Sequence, residues 1–356
     1  MPENFFTKLK KETPTRLWIN NPTVAEVRLA LDHGAVSCTT NPTYGGNMIR
    51  RDGEFARAVI RECLNQSEDD NMVADLVQQR LVARVLEMFR PLYDSSKGQD
   101  GWVSIQGNPS ADTDADHIVG EAVRYLKLGP NCIAKIPATA AGIKAIEVLV
   151  SDGMPVIATE VFGLSQMVAV CEMYRQASAK ADKRSAFYVT HITGIFDEHL
   201  KEYAEKHEVR IAPETLSVAG AAVARLQYRV LNERRYDGIL LGGGARGTHH
   251  FTDFVGGALH ITINWSTAEE ILALNPPVTD RMSVETPREV IAELEQKLPD
   301  FRKAWREGAL AVEQFAEYGP VQRFRNQFIN GWNQMLAAIK EERANIMTTA
   351  AGGQRR

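Results

Sequence analysis

Asn131-Cys132-Ile133-Ala134-Lys135-Ile136-Pro137-Ala138-Thr139 is the stretch on which the reading of this chain turns. Four of the five residues from Cys132 to Ile136 are apolar, and the fifth is a lysine. Before it, Leu128-Gly129-Pro130-Asn131 is a turn signal. After it, Thr139-Ala140-Ala141-Gly142 opens a helical pattern whose apolar positions are Ile143, Ile146, Val148 and Leu149. The pattern predicts a short buried strand followed by a helix. Burial disfavours the charged ammonium and lowers the pKa of the amine. A lysine that is neutral part of the time can add to a carbonyl as a Schiff-base nucleophile. Taken by itself, the segment also fits a plainer reading, a strand-end lysine whose ammonium reaches water.

The same strand-then-helix unit recurs on both sides. Apolar runs fall at residues 17–20, 36–42, 102–106, 132–136, 155–159, 186–190, 237–242 and 259–264. Helical patterns lie between them, among them one through Val24, Val27, Leu29 and Leu31, a long one over 55–93, and others over 114–128 and 164–174. Eight such alternations within roughly 250 residues predict an α/β fold, a parallel (β/α)8 TIM barrel. In that architecture the polar residue ending each strand faces the functional mouth. Here those residues are Asn20, Asn41, Gln106, Lys135, Thr159, Thr190, Arg246 just beyond the seventh run, and Asn264. Any single Asn or Thr among them reads equally well as a cap for the helix that follows.

Composition narrows the function classes. The chain has 356 residues, 44% hydrophobic and 24% charged, with formal net charge -4. A slightly acidic balance argues against nucleic acid as a partner, and no run approaches the length that spans a membrane. The polar, lysine-rich first residues are not expected to be a signal peptide. Cys38, Cys63, Cys132 and Cys171 show no C-x-x-C spacing, so the expected setting is the reducing cytoplasm. Residues 1–275 are assigned to the barrel. Residues 276–347 read as a helical extension packed on its outside, with Phe315, Phe324, Phe328, Trp332 and Met335 as the apolar stripe. Residues 348–356 read as a disordered tail.

Several of these stretches resemble one family, the transaldolase family of class I aldolases. Thr39-Thr40-Asn41-Pro42-Thr43 resembles its T-T-N-P-S signature on strand two, and the stretch from Lys135 to Gly142 resembles the motif around its Schiff-base lysine. The stretch from Ala158 to Gln166 is similar to its strand-five motif, in wording closer to the fructose-6-phosphate aldolase branch. The resemblance covers roughly residues 16–272. It implies that Lys135 attacks a ketone and that the resulting imine serves as electron sink for making or breaking the neighbouring C–C bond. It further implies that Gln106 and Thr159 hold a water and that Asn41 bonds substrate hydroxyls. Thr39, Thr190, Gly244, Arg246 and Asn264 would complete the substrate site. The implied partner is a small sugar or ketone. No cofactor and no metal are expected, and a homo-oligomer is left open.

The departures from the family pattern are as informative. Asn20 stands where the family has an aspartate, and is expected to orient substrate without moving protons. Gln106 replaces the glutamate of transaldolases proper. Ile195 stands where an arginine grips the substrate phosphate, and Ile192 where the aldolase branch has a tyrosine. Of a serine-x-arginine clamp only Arg246 remains, in Gly244-Ala245-Arg246. The run Gly242-Gly243-Gly244 reads either as an anion nest or as a tight turn. Glu160 and His191 are the nearest ionisable candidates for proton transfer, yet strand alternation points both toward the helix layer. Two alternatives stay open: an imine enzyme with isomerase or dehydratase chemistry, and a sugar-binding barrel without catalysis.

Overall fold

The eight apolar runs pair in chain order and close on themselves. The computed structural model describes residues 4–181 and 184–353. Its strands are β1 (Arg16–Asn20), β2 (Ser37–Thr39), β3 (Val103–Ile105), β4 (Cys132–Pro137), β5 (Val156–Val161), β6 (Phe187–Ile192), β7 (Ile239–Gly243) and β8 (His260–Ile263). All are parallel, and β8 pairs with β1. The (β/α)8 barrel expected from the alternation is therefore present. Two strands run further than their apolar runs: β5 continues past Thr159 to Val161, and β6 past Thr190 to Ile192.

Side chains alternate across a strand, and this fills the barrel axis. Trp18, Val36, Trp102, Ile133, Ile157, Tyr188 and Leu241 form one buried cluster. The Trp18 indole donates to His260 Nδ1 at 2.9 Å, and its ring meets Tyr188 edge-on at 5.0 Å. A packed axis of this kind is a floor, not a pore. Two residues further along the strands, the same alternation places Asn20, Lys135, Thr159, Thr190 and Gly243 at the mouth.

Local chemistry sets the element ends near the site. The Asn131 side chain donates to Leu86 O and Gly101 O, both at 3.0 Å, which fixes the entry to β4. Thr139 caps the helix Ala140–Ser151 by accepting from Gly142 N at 3.1 Å. The long helical pattern of 55–93 is two helices, Gly53–Leu64 and Asp70–Ser95. The break falls in the polar segment ahead of Asp69, whose side chain caps the second helix through Asn71 N at 2.8 Å.

The C-terminal residues do more than coat the outside. The helix Gly319–Gly353 crosses the mouth end. Phe315, Phe324 and Phe328 pack with Phe162, Ile192 and Ile195, at or just beyond the ends of β5 and β6. Further along, Trp332 and Met335 join the large cluster between strands and helices. Arg325 anchors the helix to Asp112 through two 2.9 Å contacts from its Nε. The helix continues through Gly353, where the sequence pattern ended it at Met347; the rest of the expected tail, 354–356, lies outside the described residues. Cys38, Cys63, Cys132 and Cys171 are free and buried. Among the described residues no helix is long and apolar enough to cross a membrane.

Candidate active site

Lys135 sits near the C-terminal end of β4, buried, two residues above Ile133 of the floor. It opens into a cavity of about 190 Å³. Burial pushes its amine down to about 8, opposed by the neighbouring Glu160 carboxylate. The Phe328 ring lies over the amine, its centroid 5.8 Å from Nζ. At about 8, roughly a tenth of the amine is neutral at pH 7, far more than for an ordinary lysine.

Seven of the other expected site residues line the same cavity: Asn20, Thr39, Asn41, Thr190, Gly244, Arg246 and Asn264. Asn20 bridges two neighbours, donating to Asn264 Oδ1 at 2.9 Å and accepting from Thr39 Oγ1 at 3.0 Å. Thr39 in turn shares a 2.7 Å contact with Thr262, a lining residue that the strand-end reading did not single out. Asn41 turns its Oδ1 back to Thr43, accepting from its backbone N at 3.0 Å and its hydroxyl at 2.7 Å. That leaves the amide NH2 of Asn41 for the cavity. Thr190 Oγ1 is buried and has no protein partner.

The expected anion site is weaker than its residues alone suggested. Gly242 and Gly243 belong to β7, in register with His191 and Ile192 of β6, so their backbone is ladder and not nest. Only Gly244, at φ +68°, stands beyond the strand. Arg246 reaches the cavity but donates from Nε to Glu198 at 2.8 Å. Ile192 and Ile195 both line the cavity and add apolar surface at the two positions where the resemblance implies a tyrosine of the aldolase branch and a phosphate-gripping arginine.

Gln106 and Thr159 are buried and are not among the residues that line this cavity. Gln106 Nε2 donates to Glu160 Oε1 at 3.1 Å. This overturns the expectation that Glu160 faces the helix layer. Glu160 adopts φ +61°, and the β5–β6 register shifts between Ala158 and Val161. The reversal takes Glu160 out of the regular alternation that Thr159 still follows. Gln166 holds the turn, donating to Glu160 O at 3.0 Å and accepting from Phe162 N at 2.9 Å. Burial and Asp112 push the Glu160 carboxyl up to about 8, against Lys135 and the Gln106 bond. His191 behaves as alternation predicts: its Nε2 meets Gly220 O at 3.1 Å in the helix layer, and burial pushes it down to about 4.

Phe324, Gln327 and Phe328 of the C-terminal helix roof the cavity. Their apolar spacing was visible in the sequence, but nothing local says which surface such a stripe covers. Elsewhere Asp197, His249 and His250 bring ligand atoms within 4.8 Å of one another. Their hydrogen bonds already engage most of these atoms. His250 Nδ1 accepts from Arg246 N at 3.1 Å, so Nε2 carries the proton and donates to Asp197 at 2.8 Å.

The fold and site define a closed, parallel (β/α)8 barrel with a buried lysine near the end of β4. The sequence profile of the Transaldolase/Fructose-6-phosphate aldolase family matches residues 17–317, and the chain belongs to that family. A transaldolase of Saccharopolyspora erythraea is 27% identical over 231 residues, 62% of this chain and 60% of that protein. Transaldolases of Mycobacterium ulcerans (26% over 210 residues, 56% and 55%) and Acidothermus cellulolyticus (27% over 213 residues, 58% and 57%) are similar to it as well. The matches span less than two thirds of the length of these curated relatives.

Proposed function

We propose that the protein is a transaldolase-like enzyme of carbohydrate metabolism that forms an imine between Lys135 and a ketose or related ketone, then makes or breaks the adjacent C–C bond. The observation that carries this reading is the buried Lys135 amine, pushed down to about 8, opening into a cavity of about 190 Å³. Neutral Lys135 adds to the ketone, and the protonated imine withdraws the electron pair of the bond that breaks. The Asn41 amide and the Thr190 hydroxyl bond the substrate's hydroxyls. Asn20, held by Thr39 and Asn264, orients them. Gln106 and Thr159 offer buried atoms, Oε1 and Oγ1, without protein partners, which suits a bound water. Ile195 and the pairing of Arg246 with Glu198 favour a substrate with little or no phosphate charge.

Reduction with borohydride in the presence of dihydroxyacetone tests the reading. Intact mass should show one adduct in the wild type and none in Lys135→Met. An equal adduct in both would overturn the assignment of the nucleophile. A wild-type adduct without aldehyde release across a panel of ketoses would point to isomerase or dehydratase chemistry, and no adduct to a binding protein.

A further inference from the structure

The lysine reaction needs a group that gives and takes protons, and the positions where the family resemblance expects one lack it here. Asn20 is an amide, Ile192 is a hydrocarbon, and Gln106 does not titrate. Resting on the imine reading above, we infer that Glu160 is the proton donor and acceptor of this site, supplying from β5 the carboxyl that β3 lacks at Gln106.

Three observations place it there. The Glu160 carboxyl is turned to the end of β3, where it accepts from Gln106 Nε2 at 3.1 Å. Its backbone is left-handed at φ +61° beside a register shift, a conformation that costs a non-glycine residue stability and clusters at functional sites. Finally, Glu160 Oε2, Gln106 Oε1 and Thr159 Oγ1 are all buried without protein partners. Buried polar atoms are normally bonded, so each of the three is free to bond a relay water.

Charged groups reach Glu160 from three elements. Lys135 faces it from β4, Asp112 from the segment after β3, and Arg325 from the C-terminal helix. Asp112 and Arg325 are paired with each other, so Lys135 is the partner left to share a proton with Glu160. Burial disfavours both charged forms, raising the acid and lowering the amine.

The chemistry then balances with one proton. Neutral Lys135 adds to the ketone carbon, forming the C–N bond and, after proton transfer from nitrogen to oxygen, a carbinolamine. Its hydroxyl takes the Glu160 proton through the relay and departs as water, leaving the iminium and the Glu160 carboxylate. In cleavage the carboxylate recovers a proton from the β-hydroxyl. The C–C electron pair moves toward the iminium nitrogen, an aldehyde leaves, and a neutral enamine remains. No oxidant or reductant enters.

The experiment compares wild type, Glu160→Gln, and the double variant Gln106→Glu with Glu160→Gln, each as the full chain. Cleavage of D-fructose is followed from pH 5 to 10, and borohydride trapping with dihydroxyacetone is run in parallel. Glu160→Gln keeps the size of the side chain and removes a buried acid, so folding is expected to survive and is checked by its melting curve. The variant should still form the reduced adduct, lose about 10²–10⁴-fold in turnover, and lose the alkaline limb of a bell-shaped profile whose two limbs belong to the pair. Returning a carboxyl to β3 in the double variant should restore at least about tenfold of that loss and the missing limb, which a structural role would not do. The inference is overturned if Glu160→Gln keeps the wild-type rate and bell, or if the double variant regains nothing. Absence of the adduct in the wild type would instead remove the imine reading itself.

Discussion

Phe328, from the C-terminal helix, covers the amine of Lys135, from β4, with its ring centroid 5.8 Å from Nζ. Two effects of this contact oppose each other. The ring's π face attracts an ammonium by roughly 0.5–1 kcal/mol, whereas exclusion of water disfavours it. Holding the amine at about 8 instead of its ordinary 10.5 corresponds to roughly 3 kcal/mol. Desolvation wins.

Phe328→Ala should therefore raise the pKa of Lys135. Water enters through the opened roof, the ammonium is stabilised, and the pH midpoint of borohydride trapping moves up from about 8 toward 10.5. The variant should also lose about 3–5 kcal/mol of stability as a truncated core aromatic. A trapping profile that stays in place would show that the barrel floor and Ile192, not the roof, keep the amine dry.

Arg246 is held by Glu198, and both side chains are more than a third exposed, at 37% and 38%. Such a pair is worth no more than ~1 kcal/mol, or about fivefold in affinity. Glu198→Gln should shift the ratio of kcat/KM for fructose 6-phosphate over fructose toward the phosphate by up to that factor. Ile195→Arg, which returns a cation to the lining itself, should shift it by roughly tenfold to a hundredfold. If the wild type already prefers the phosphate by many thousandfold, the weakened-anion reading of this mouth is wrong.

Asn20→Asp introduces a carboxylate into the cavity that holds Lys135. The substitution keeps the bond from Thr39 and loses the donation to Asn264 Oδ1. An added anion stabilises the ammonium, so the Lys135 pKa rises and its neutral fraction at pH 7 falls. Trapping with dihydroxyacetone should slow by about tenfold for each pKa unit gained. Faster turnover of family substrates would mean instead that this position still moves protons.

The helix that carries Phe328 approaches closely because Gly331 has no side chain. A Cβ there would lie 2.7 Å from Thr43 Cα, and Gly46 meets Gly331 O in the same way at 2.8 Å. Gly331→Ala should push the helix away from the mouth, costing about 1–3 kcal/mol by overpacking and lowering the melting temperature. Because the roof moves with the helix, the trapping midpoint should also rise, in the same direction as for Phe328→Ala. A normal melting temperature with a shifted midpoint would separate roof position from stability.

What the sequence determined by itself is the barrel and its lysine. Each strand was legible because an apolar run closed by a polar residue is a local, period-two signal, and eight in alternation with helical patterns admit few architectures. Lys135, Asn20, Thr190 and Asn264 line one cavity because each lies at or near the end of its own run. Two parts of the site were decided only by tertiary structure. Glu160 faces inward because its backbone reverses to φ +61° and Gln166 of the next helix holds the turn; a rule of strict alternation sends it the other way. The roof of Phe324, Gln327 and Phe328 comes from the far end of the chain. A helical stripe reports that a face is buried, but its partner is set by long-range packing, here by the close approach at Gly331 and the Arg325–Asp112 pair.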